Sequence, residues 1–390
     1  MTKLDHLSAG FTAVLVGYTS AIIIVIQAAT SLGATDGQIE SWLLALGLVM
    51  GLSSVFLSWF FKLPILIAWS TPGAALLITF DGAYTLAQAT PAFVITGLLI
   101  ALTGLIKPLN QALNSIPTNL ASAMLAAILL PFCINAFTPS MSSPEIFFCM
   151  FAAFLVSKVY FPKYAMLAIL IVGASVSALL DEFQVSKLAF TLASPQFMGW
   201  EWDLGAIINI SLPLYVITML SQNLPGFAML KNFHYQPPTK PILVTTGLAN
   251  SLFAPIGGFS VNLAAITAAI CMNESVDPRP ERRYLASISA GLFYLIAGLW
   301  GTTVVSLFLA LPNAVTTVLA GFALLGTLSM CLNKSLVEGD NDAAMLTLLI
   351  TLSGVNLFGI DATLWGLVAG LVWIKIKRYQ QASLVKYPAK

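Results

Sequence analysis

The stretch WSTPGAALLI, residues 69–78, interrupts a long apolar run with two hydroxyl side chains, a proline and a glycine. Ser70 or Thr71 can cap the N-terminus of a helix, and Pro72 suits the first helical position because its missing N–H needs no partner there. We therefore predict extended chain up to this point and a helix over residues 71–80. Ten helical residues rise only about 15 Å, half of the hydrocarbon thickness, so this helix should begin near the middle of a membrane.

The composition indicates a polytopic membrane protein. Of 390 residues, 58% are hydrophobic and 8% are charged, against roughly 25% charged residues in soluble domains. A net charge of +1 without a basic cluster gives no support for a nucleic-acid partner. The four cysteines stand singly in apolar runs, which predicts packing residues and neither a metal site nor another cofactor.

We place fourteen membrane segments by apolar runs, allowing shorter lengths where a segment is broken. Those beginning at residues 64 and 257 are irregular. The segments are 8–29, 38–59, 64–80, 91–106, 117–137, 144–157, 164–180, 204–230, 241–254, 257–272, 284–309, 312–332, 343–358 and 361–374.

The basic residues indicate how the chain is oriented. With the N-terminus inside, Lys187 is the only one of the 17 lysines and arginines that falls on the outside, and cytoplasmic loops carry the excess of such residues. An even number of segments also places the C-terminus inside. We expect an integral plasma-membrane protein, in a bacterium the inner membrane, with both termini cytoplasmic.

The two halves of the chain resemble each other weakly. Each half holds seven segments, an odd number, so the second copy must cross the membrane upside down, as in many secondary transporters. Three matches occur in the same order at offsets of 190 to 195: 69–78 with 259–268, 97–105 with 291–299, and 116–130 with 311–325.

The counterpart of the opening stretch is PIGGFSVNLAAITAAI, residues 255–270. Its two glycines loosen the chain, and we expect Ser260 to cap a short helix that carries Asn262. In an inverted repeat the two helix N-termini face each other, the extended stretches can pair, and free N–H groups favour an anion. The predicted fold is thus all-α, with 14 transmembrane segments as a 7+7 inverted repeat and segments 3 and 10 each a short strand plus half-helix.

All acidic, basic and histidine side chains fall in loops or at segment ends. A cationic substrate would lack a counter-charge, so a small organic anion fits better. A charge at the midplane costs about 2.5 to 3.5 kcal/mol, and each helix terminus returns up to about 2 kcal/mol. An apolar contact with the rest of the substrate is therefore needed.

Uncharged polar and aromatic side chains complete the candidates. Buried amides and hydroxyls hold helices together more often than they bind ligand, and both roles stay open here. Gln222 and Asn223 lie in the eighth segment, and Tyr18 and Ser20 in the first. The candidates for packing against a substrate ring are Trp69, Tyr215 and Phe259.

Four motifs, WSTPGAALL, SQNLPGFAML, YQPPTKP and GGFSVNLAAITAAICMN, resemble the benzoate/proton symporter (BenE-type) family over essentially the whole chain. The resemblance implies the fold of the uracil and xanthine permeases, with substrate between segments 3 and 10 and opposite segment 8. It also implies a core domain that moves against a gate domain, and dimers through the gate. The core domain would comprise 1–110 (segments 1–4) and 203–310 (segments 8–11), and the gate domain 111–182 (segments 5–7) and 311–378 (segments 12–14).

Positions carried over from this family define a substrate pocket. Nucleobase permeases have glutamates in the eighth and tenth segments, where this chain has Gln222 and Asn262, so the proton carrier stays open. Either the substrate crosses as a protonated acid, or Asp81 or Asp361 takes part. The implied pocket residues are Ser70, Thr71, Gly73, Gln222, Asn223, Ser260 and Asn262.

We therefore expect a secondary transporter that imports a small aromatic carboxylate such as benzoate, with a proton as coupling ion, by alternating access. The alternative is an exchanger or uniporter for another organic anion or a nucleobase-like heterocycle. A membrane-embedded enzyme is disfavoured because no His, Asp, Glu or Cys constellation lies within the apolar runs. The chain also has no G-x-x-x-x-G-K-[ST] phosphate loop for ATP.

Overall fold

Within the residues that it describes, the computed structural model consists of helices, connecting loops and two short strands. It describes residues 3–108, 111, 116–185, 188, 190–264, 266–337 and 339–386, so Lys187 lies outside the described residues. The strands are β1 (Ile67–Trp69) and β2 (Val261–Leu263). The main helices are α1 (Lys3–Ser31), α2 (Asp36–Phe61), α3 (Thr71–Ile78), α4 (Leu86–Leu105), α5 (Thr118–Asn135), α6 (Pro144–Tyr160), α7 (Ala165–Leu179), α8 (Leu204–Asn232), α9 (Thr239–Phe253), α10 (Ile266–Met272), α11 (Tyr284–Leu299), α12 (Gly301–Ala310), α13 (Asn313–Val337), α14 (Asn341–Ser353) and α15 (Ala362–Lys386).

In the described part of the chain, 7 helices are long and apolar enough to cross a membrane, or 8 if α11 and α12 form one bent span. These two helices meet at 65°, whereas the sequence predicted one continuous segment over residues 284–309. The bend lies at Trp300, directly before Gly301. Gly lowers helix propensity by about 1 kcal/mol, which favours a break at this position.

Local sequence sets the helix starts of α2 and α4. Thr35 and Gln38 form a reciprocal capping box at the N-terminus of α2, and Thr85 and Gln88 form the same box at α4. Each box satisfies two backbone N–H groups that the first helical turn cannot pair. Both boxes lie in the short connections that follow α1 and α3.

Helix α8 contains two wider π-helical turns, Ile207–Ser211 and Thr218–Asn223. Each is followed by a leucine and then a proline, Leu212-Pro213 or Leu224-Pro225. Proline cannot donate to the carbonyl four residues earlier and its ring clashes with that carbonyl, so the helix widens at these points. The widened turns carry the polar residues of α8 that the site uses.

Strands β1 and β2 pair antiparallel, as expected of the two extended stretches. The register opposes Ala68 with Asn262 and Trp69 with Val261. Two side chains outside the ladder also bind strand N–H groups: Ser54 Oγ accepts from the Ile67 N–H at 2.9 Å, and Asn223 Oδ1 accepts from the Leu263 N–H at 3.0 Å. Lipid offers no hydrogen bonds, so this pairing and capping is what permits extended chain inside a membrane protein.

Glycines let the helices of the two halves approach closely. A Cβ added to Gly47 in α2 would lie 2.5 Å from the Gly298 Cα of α11. In the same way a Cβ on Gly97 of α4 would lie 2.5 Å from the Gly247 carbonyl oxygen of α9. Small residues at helix interfaces permit such backbone contact in membranes. These two contacts fix the helices that flank the strands.

The substitution Gly47→Ala should lower the thermal unfolding midpoint, because the added methyl group must push two helix backbones apart. Overpacking of this kind costs about 1 to 3 kcal/mol. Gly326→Ala is the matched control, because a Cβ at that position in α13 meets nothing within 4 Å. Intrinsic fluorescence of purified protein on heating measures both, and equal midpoints would contradict the close contact.

Candidate functional site

The junction between β1 and α3 is built as the sequence predicts. Ser70 caps α3, with its Oγ accepting from the Gly73 N–H at 3.1 Å and its carbonyl accepting from Ala74 at 2.8 Å. The Ser70 N–H donates to the Ser260 carbonyl at 3.0 Å, which joins this junction to β2. Because Pro72 has no N–H, Thr71 keeps the one first-turn N–H without a partner among the described residues. In the described part of the chain, the helix start therefore offers one free N–H group, that of Thr71, and not the several that were expected.

Gly73 is fixed by packing. A Cβ at this position would lie 2.5 Å from Leu214 Cδ1 and 2.8 Å from Ser70 Oγ. The N-terminus of α3 thus lies directly against α8. Glycine permits this close approach, because a larger residue would have to displace the end of the Leu214 side chain and the Ser70 hydroxyl.

The expectation that Ser260 caps a helix is wrong. Asn262 lies in β2, α10 begins only at Ile266, and the Ser260 Oγ is 2.8 Å from Thr218 Oγ1 of α8. The strand extends further than predicted because Leu66 and Ala68 of the first half offer it backbone partners. Helix α10 is therefore shorter than predicted and starts further along the chain.

The two amides of α8 differ in their surroundings. Asn223 is fully buried, its Oδ1 accepts from the Leu263 N–H of β2 at 3.0 Å, and its Nδ2 lies 3.3 Å from Met219 Sδ. Gln222 is half-buried and has no hydrogen-bond partner among the described residues. Asn223 thus has a defined structural role, while Gln222 is free to contact a ligand.

Two polar atoms close to the strands are buried without a hydrogen-bond partner in the described residues. One is the Asn262 Oδ1, whereas the Nδ2 of the same side chain donates to the Leu263 carbonyl at 3.0 Å. The other is the Tyr18 hydroxyl. Buried polar groups are normally satisfied, so each unpaired atom needs an explanation, and a bound ligand is one.

Tyr18 of α1 packs against the strand junction, whereas the observed hydrogen bond of Ser20 stays within α1. The Tyr18 ring packs edge-on against Trp69 of β1, with centroids 4.7 Å apart at 60°. On another side it lies 6.0 Å from the ring of Tyr294 in α11. The Ser20 Oγ donates to the Gly17 carbonyl of its own helix at 3.1 Å. A hydroxyl bonded back to its own helix is the usual arrangement for serine inside a helix.

The other two aromatic candidates lie elsewhere. Phe259 is fully buried between Trp42 and Phe93, with ring centroids 5.5 and 6.2 Å away. The Tyr215 hydroxyl is 2.5 Å from Thr103 Oγ1 on α4. Trp69, paired with Tyr18, is therefore the aromatic candidate that borders the strand junction.

Charged groups lie away from the junction. Asp81 is exposed, and the Asp361 Oδ1 accepts from the Thr363 N–H at 2.8 Å at the start of α15. No group of three metal-binding side chains was found among the described residues. What the junction offers chemically is thus hydrogen bonding and aromatic contact.

An ionic cluster holds the chain beyond α10. The Asp277 Oδ1 accepts from the Arg279 N–H at 3.0 Å, which together with the Arg279 guanidinium lowers the pKa of this carboxyl group. Its Oδ2 lies 3.3 Å from His6 Nε2 of α1. The buried Arg283 donates to the carbonyls of Asp277 and Met272, so the end of α10 is tied to α1 and α11. With its pKa lowered, Asp277 stabilises the fold above about pH 4 and loses that effect as the pH falls through the lowered pKa.

Sequence reasoning missed two polar residues of α8. Thr218 binds the Ser260 hydroxyl, and Asn209 is buried with partners in two distant segments. Both lie in the two π-helical turns, N-terminal to Pro213 and Pro225. A polar residue a few positions before a helical proline was the available signal.

The fold is that of membrane transporters. The transmembrane domain of the cyanobacterial bicarbonate transporter BicA superposes with a TM-score of 0.59 at 14% identity, covering 95% of this chain and 98% of that one. The murine anion transporter Slc26a9 in its inward-facing state gives a TM-score of 0.60 at 12% identity, covering 97% and 68%.

The sequence comparisons are more specific. The family model described as BenE, benzoate membrane transport protein, matches residues 1–376. The inner membrane protein YdcO of Escherichia coli is 40% identical, and the benzoate membrane transport protein of Acinetobacter baylyi is 36% identical, each over 93% of both chains. The chain belongs to the BenE family: it is an integral membrane transport protein and not an enzyme.

The substitution Asn223→Ala should destabilise the protein, because it leaves the buried Leu263 N–H without an acceptor. Such a loss costs about 1 to 3 kcal/mol. Gln222→Ala removes the neighbouring amide, which has no hydrogen-bond partner among the described residues, and should leave the thermal midpoint unchanged. If the two variants unfold at the same temperature in detergent, the structural role of Asn223 is refuted.

Proposed function

We propose that the chain imports a small aromatic carboxylate, benzoate or a close analogue, together with a proton, by alternating access. The observation that carries the proposal is the charge-free junction of β1, α3 and β2, where Tyr18 packs on Trp69 and where the Tyr18 hydroxyl and the Asn262 Oδ1 are buried without a partner among the described residues. Tyr18 and Trp69 offer apolar contact for a ring, while Asn262 and the Thr71 N–H offer hydrogen bonds for its carboxyl group. A family relative is named as a benzoate membrane transport protein, which supports the same substrate class.

The fourteen-segment inverted repeat forms part of this proposal. In support, each half contains a short strand followed by a short helix, and the two strands run antiparallel. The core would be residues 1–110 with 203–310, and the gate residues 111–182 with 311–378. Close helix contacts fall within these sets: α2 meets α11 and α4 meets α9 in the core, while Gly321 of α13 packs on Ala136 after α5 in the gate.

The proton can cross on the substrate or on a carboxylate such as Asp81 or Asp361. The unpaired Oδ1 acceptor of Asn262 favours the substrate. Its Nδ2 is already bonded to the Leu263 carbonyl, so its Oδ1 needs a donor. A carboxylic acid supplies an O–H, whereas a carboxylate brings only acceptors. We therefore infer that the proton travels on the substrate. Asp361 already caps α15, and Asp81 is exposed, which makes either a weaker candidate for the carrier.

Orientation and assembly belong to the same proposal. Both termini are placed on the cytoplasmic side, and two copies are placed together through their gate domains. The exposed apolar side chains of α6, among them Phe148, Leu155 and Val156, suit a surface that faces lipid or a second copy. Light scattering in detergent would report the oligomeric state.

Uptake of radiolabelled benzoate into proteoliposomes tests the function directly. We expect accumulation above empty liposomes, faster with an acidic exterior and abolished by a protonophore. The absence of uptake would exclude benzoate as substrate. Uptake that ignores the proton gradient would instead favour the alternative, an exchanger or uniporter for an organic anion or a nucleobase-like heterocycle, and competition with uracil would separate these two.

The substitution Asn262→Ala should raise the KM for benzoate about tenfold, since one hydrogen bond to a buried ligand group is lost. The thermal midpoint should fall only by the loss of the Nδ2 bond to the Leu263 carbonyl, because the Oδ1 has no partner among the described residues. Ser20→Ala is the matched control, because that hydroxyl is bonded within its own helix. An unchanged KM in Asn262→Ala would remove this residue from the site.

A further inference from the structure

Asn209 joins two parts of the chain that lie 150 residues apart. Its Nδ2 donates to the Gly359 carbonyl at 2.8 Å and to the Tyr84 hydroxyl at 2.7 Å. Its Oδ1 accepts from the Asp361 N–H at 2.9 Å. The side chain is 1% exposed. Both amide hydrogens and the amide oxygen are thus used in a buried position.

The partner of Asn209 is a tight turn between α14 and α15. Phe358 and Gly359 both have left-handed backbone conformations, with φ of 56° and 74°. Leu357 and Ile360 exchange backbone hydrogen bonds of 3.1 and 3.0 Å across the turn. This geometry lets one amide bind the Gly359 carbonyl and the Asp361 N–H together. A left-handed non-glycine residue is costly, so Phe358 shows that the turn is held by its surroundings.

The turn also begins α15. Asp361 accepts from the Thr363 N–H at 2.8 Å, so the residue held by Asn209 is the one that caps this helix. A displacement of the turn from Asn209 would therefore move the start of α15. In the proposed division Asn209 and Tyr84 belong to the core, and the turn and α15 belong to the gate.

We propose that the Asn209 amide, with its bonds to Gly359 and Asp361, forms an outer latch. This latch holds core and gate closed at the N-terminal end of α8. The inference rests on the proposed alternating access. When the core moves against the gate, the two bonds must break together to admit water at this end. Asn209 is then a positioning residue, which sets the fraction of molecules closed on this side without touching substrate.

The substitution Asn209→Ala should shift the balance between closed and open molecules at least about tenfold toward open, since two buried hydrogen bonds are lost. Ala362 lies beside the turn and is 2% exposed. A cysteine at this position therefore becomes accessible to a reagent only when the turn moves away from Asn209. The background is Cys149→Ser, which removes the exposed native cysteine and leaves the three buried ones. The rate of labelling by a membrane-impermeant maleimide, measured on the full chain in nanodiscs, should rise about tenfold in Asn209→Ala with Ala362→Cys.

Two controls separate the latch from general loosening. Tyr84→Phe removes the Asn209 partner within the core and keeps both bonds to the turn, so its labelling rate should match the parent. Asn209→Ala without Ala362→Cys reports on the buried native cysteines, whose labelling should stay slow. These are Cys133, Cys271 and Cys331. If these label faster to the same degree, the residue is merely structural and the latch is refuted.

A labelling rate of Asn209→Ala equal to that of the parent would also overturn the proposal. Should that variant fail to fold, Asn209→Asp replaces it, because its carboxylate can still accept from Asp361 and Tyr84 but cannot donate to the Gly359 carbonyl. Labelling two- to fivefold faster than the parent is expected for this variant, and no increase overturns the proposal. The labelling needs no substrate, so a failure of benzoate uptake would count against the proposed function alone.

Discussion

The structure depends on the need to satisfy backbone hydrogen bonds where chain leaves the helical conformation inside a membrane protein. β1 and β2 supply most of these bonds to each other, and polar side chains complete the set. Ser54 and Asn223 each bind a strand N–H, while Ser70 satisfies the first turn of α3. Every one of these groups is buried. Hydrocarbon cannot replace such partners, so the strands fix where α2, α3 and α8 must lie.

Close packing of helices from the two halves keeps the strands in register. The backbones of α2 and α11 touch at Gly47 and Gly298, and those of α4 and α9 touch at Gly97 and Gly247. Each pair joins one helix that flanks β1 in sequence to one that flanks β2. Van der Waals contact of this kind is a principal source of helix association in lipid. The strand pair and the glycine contacts thus depend on each other.

The sequence predicts the helix start at Ser70 and the pairing of the two extended stretches, but not the partners of individual polar side chains. The cap at Ser70 follows from neighbouring residues, because serine, proline and glycine stand at the positions that a helix start requires. The helix cap predicted at Ser260 is wrong, because the partner strand β1 extends β2 to Leu263. The contacts of Thr218 and Asn209 could not be predicted, because their partners lie 42 to 152 residues away and the proline that follows each of them does not identify those partners. The structural role of Asn223 likewise depends on a distant partner, the Leu263 N–H of β2.

The lack of charged side chains at the strand junction has an electrical consequence. A charge that crosses the membrane exchanges about 2.3 kcal/mol with the potential for each 100 mV. The junction residues carry only dipoles, so their movement adds no charge of the protein to the transport step. In the proposed transport of a neutral acid, the substrate also carries no net charge across. The membrane potential then acts neither on the junction side chains nor on the loaded substrate.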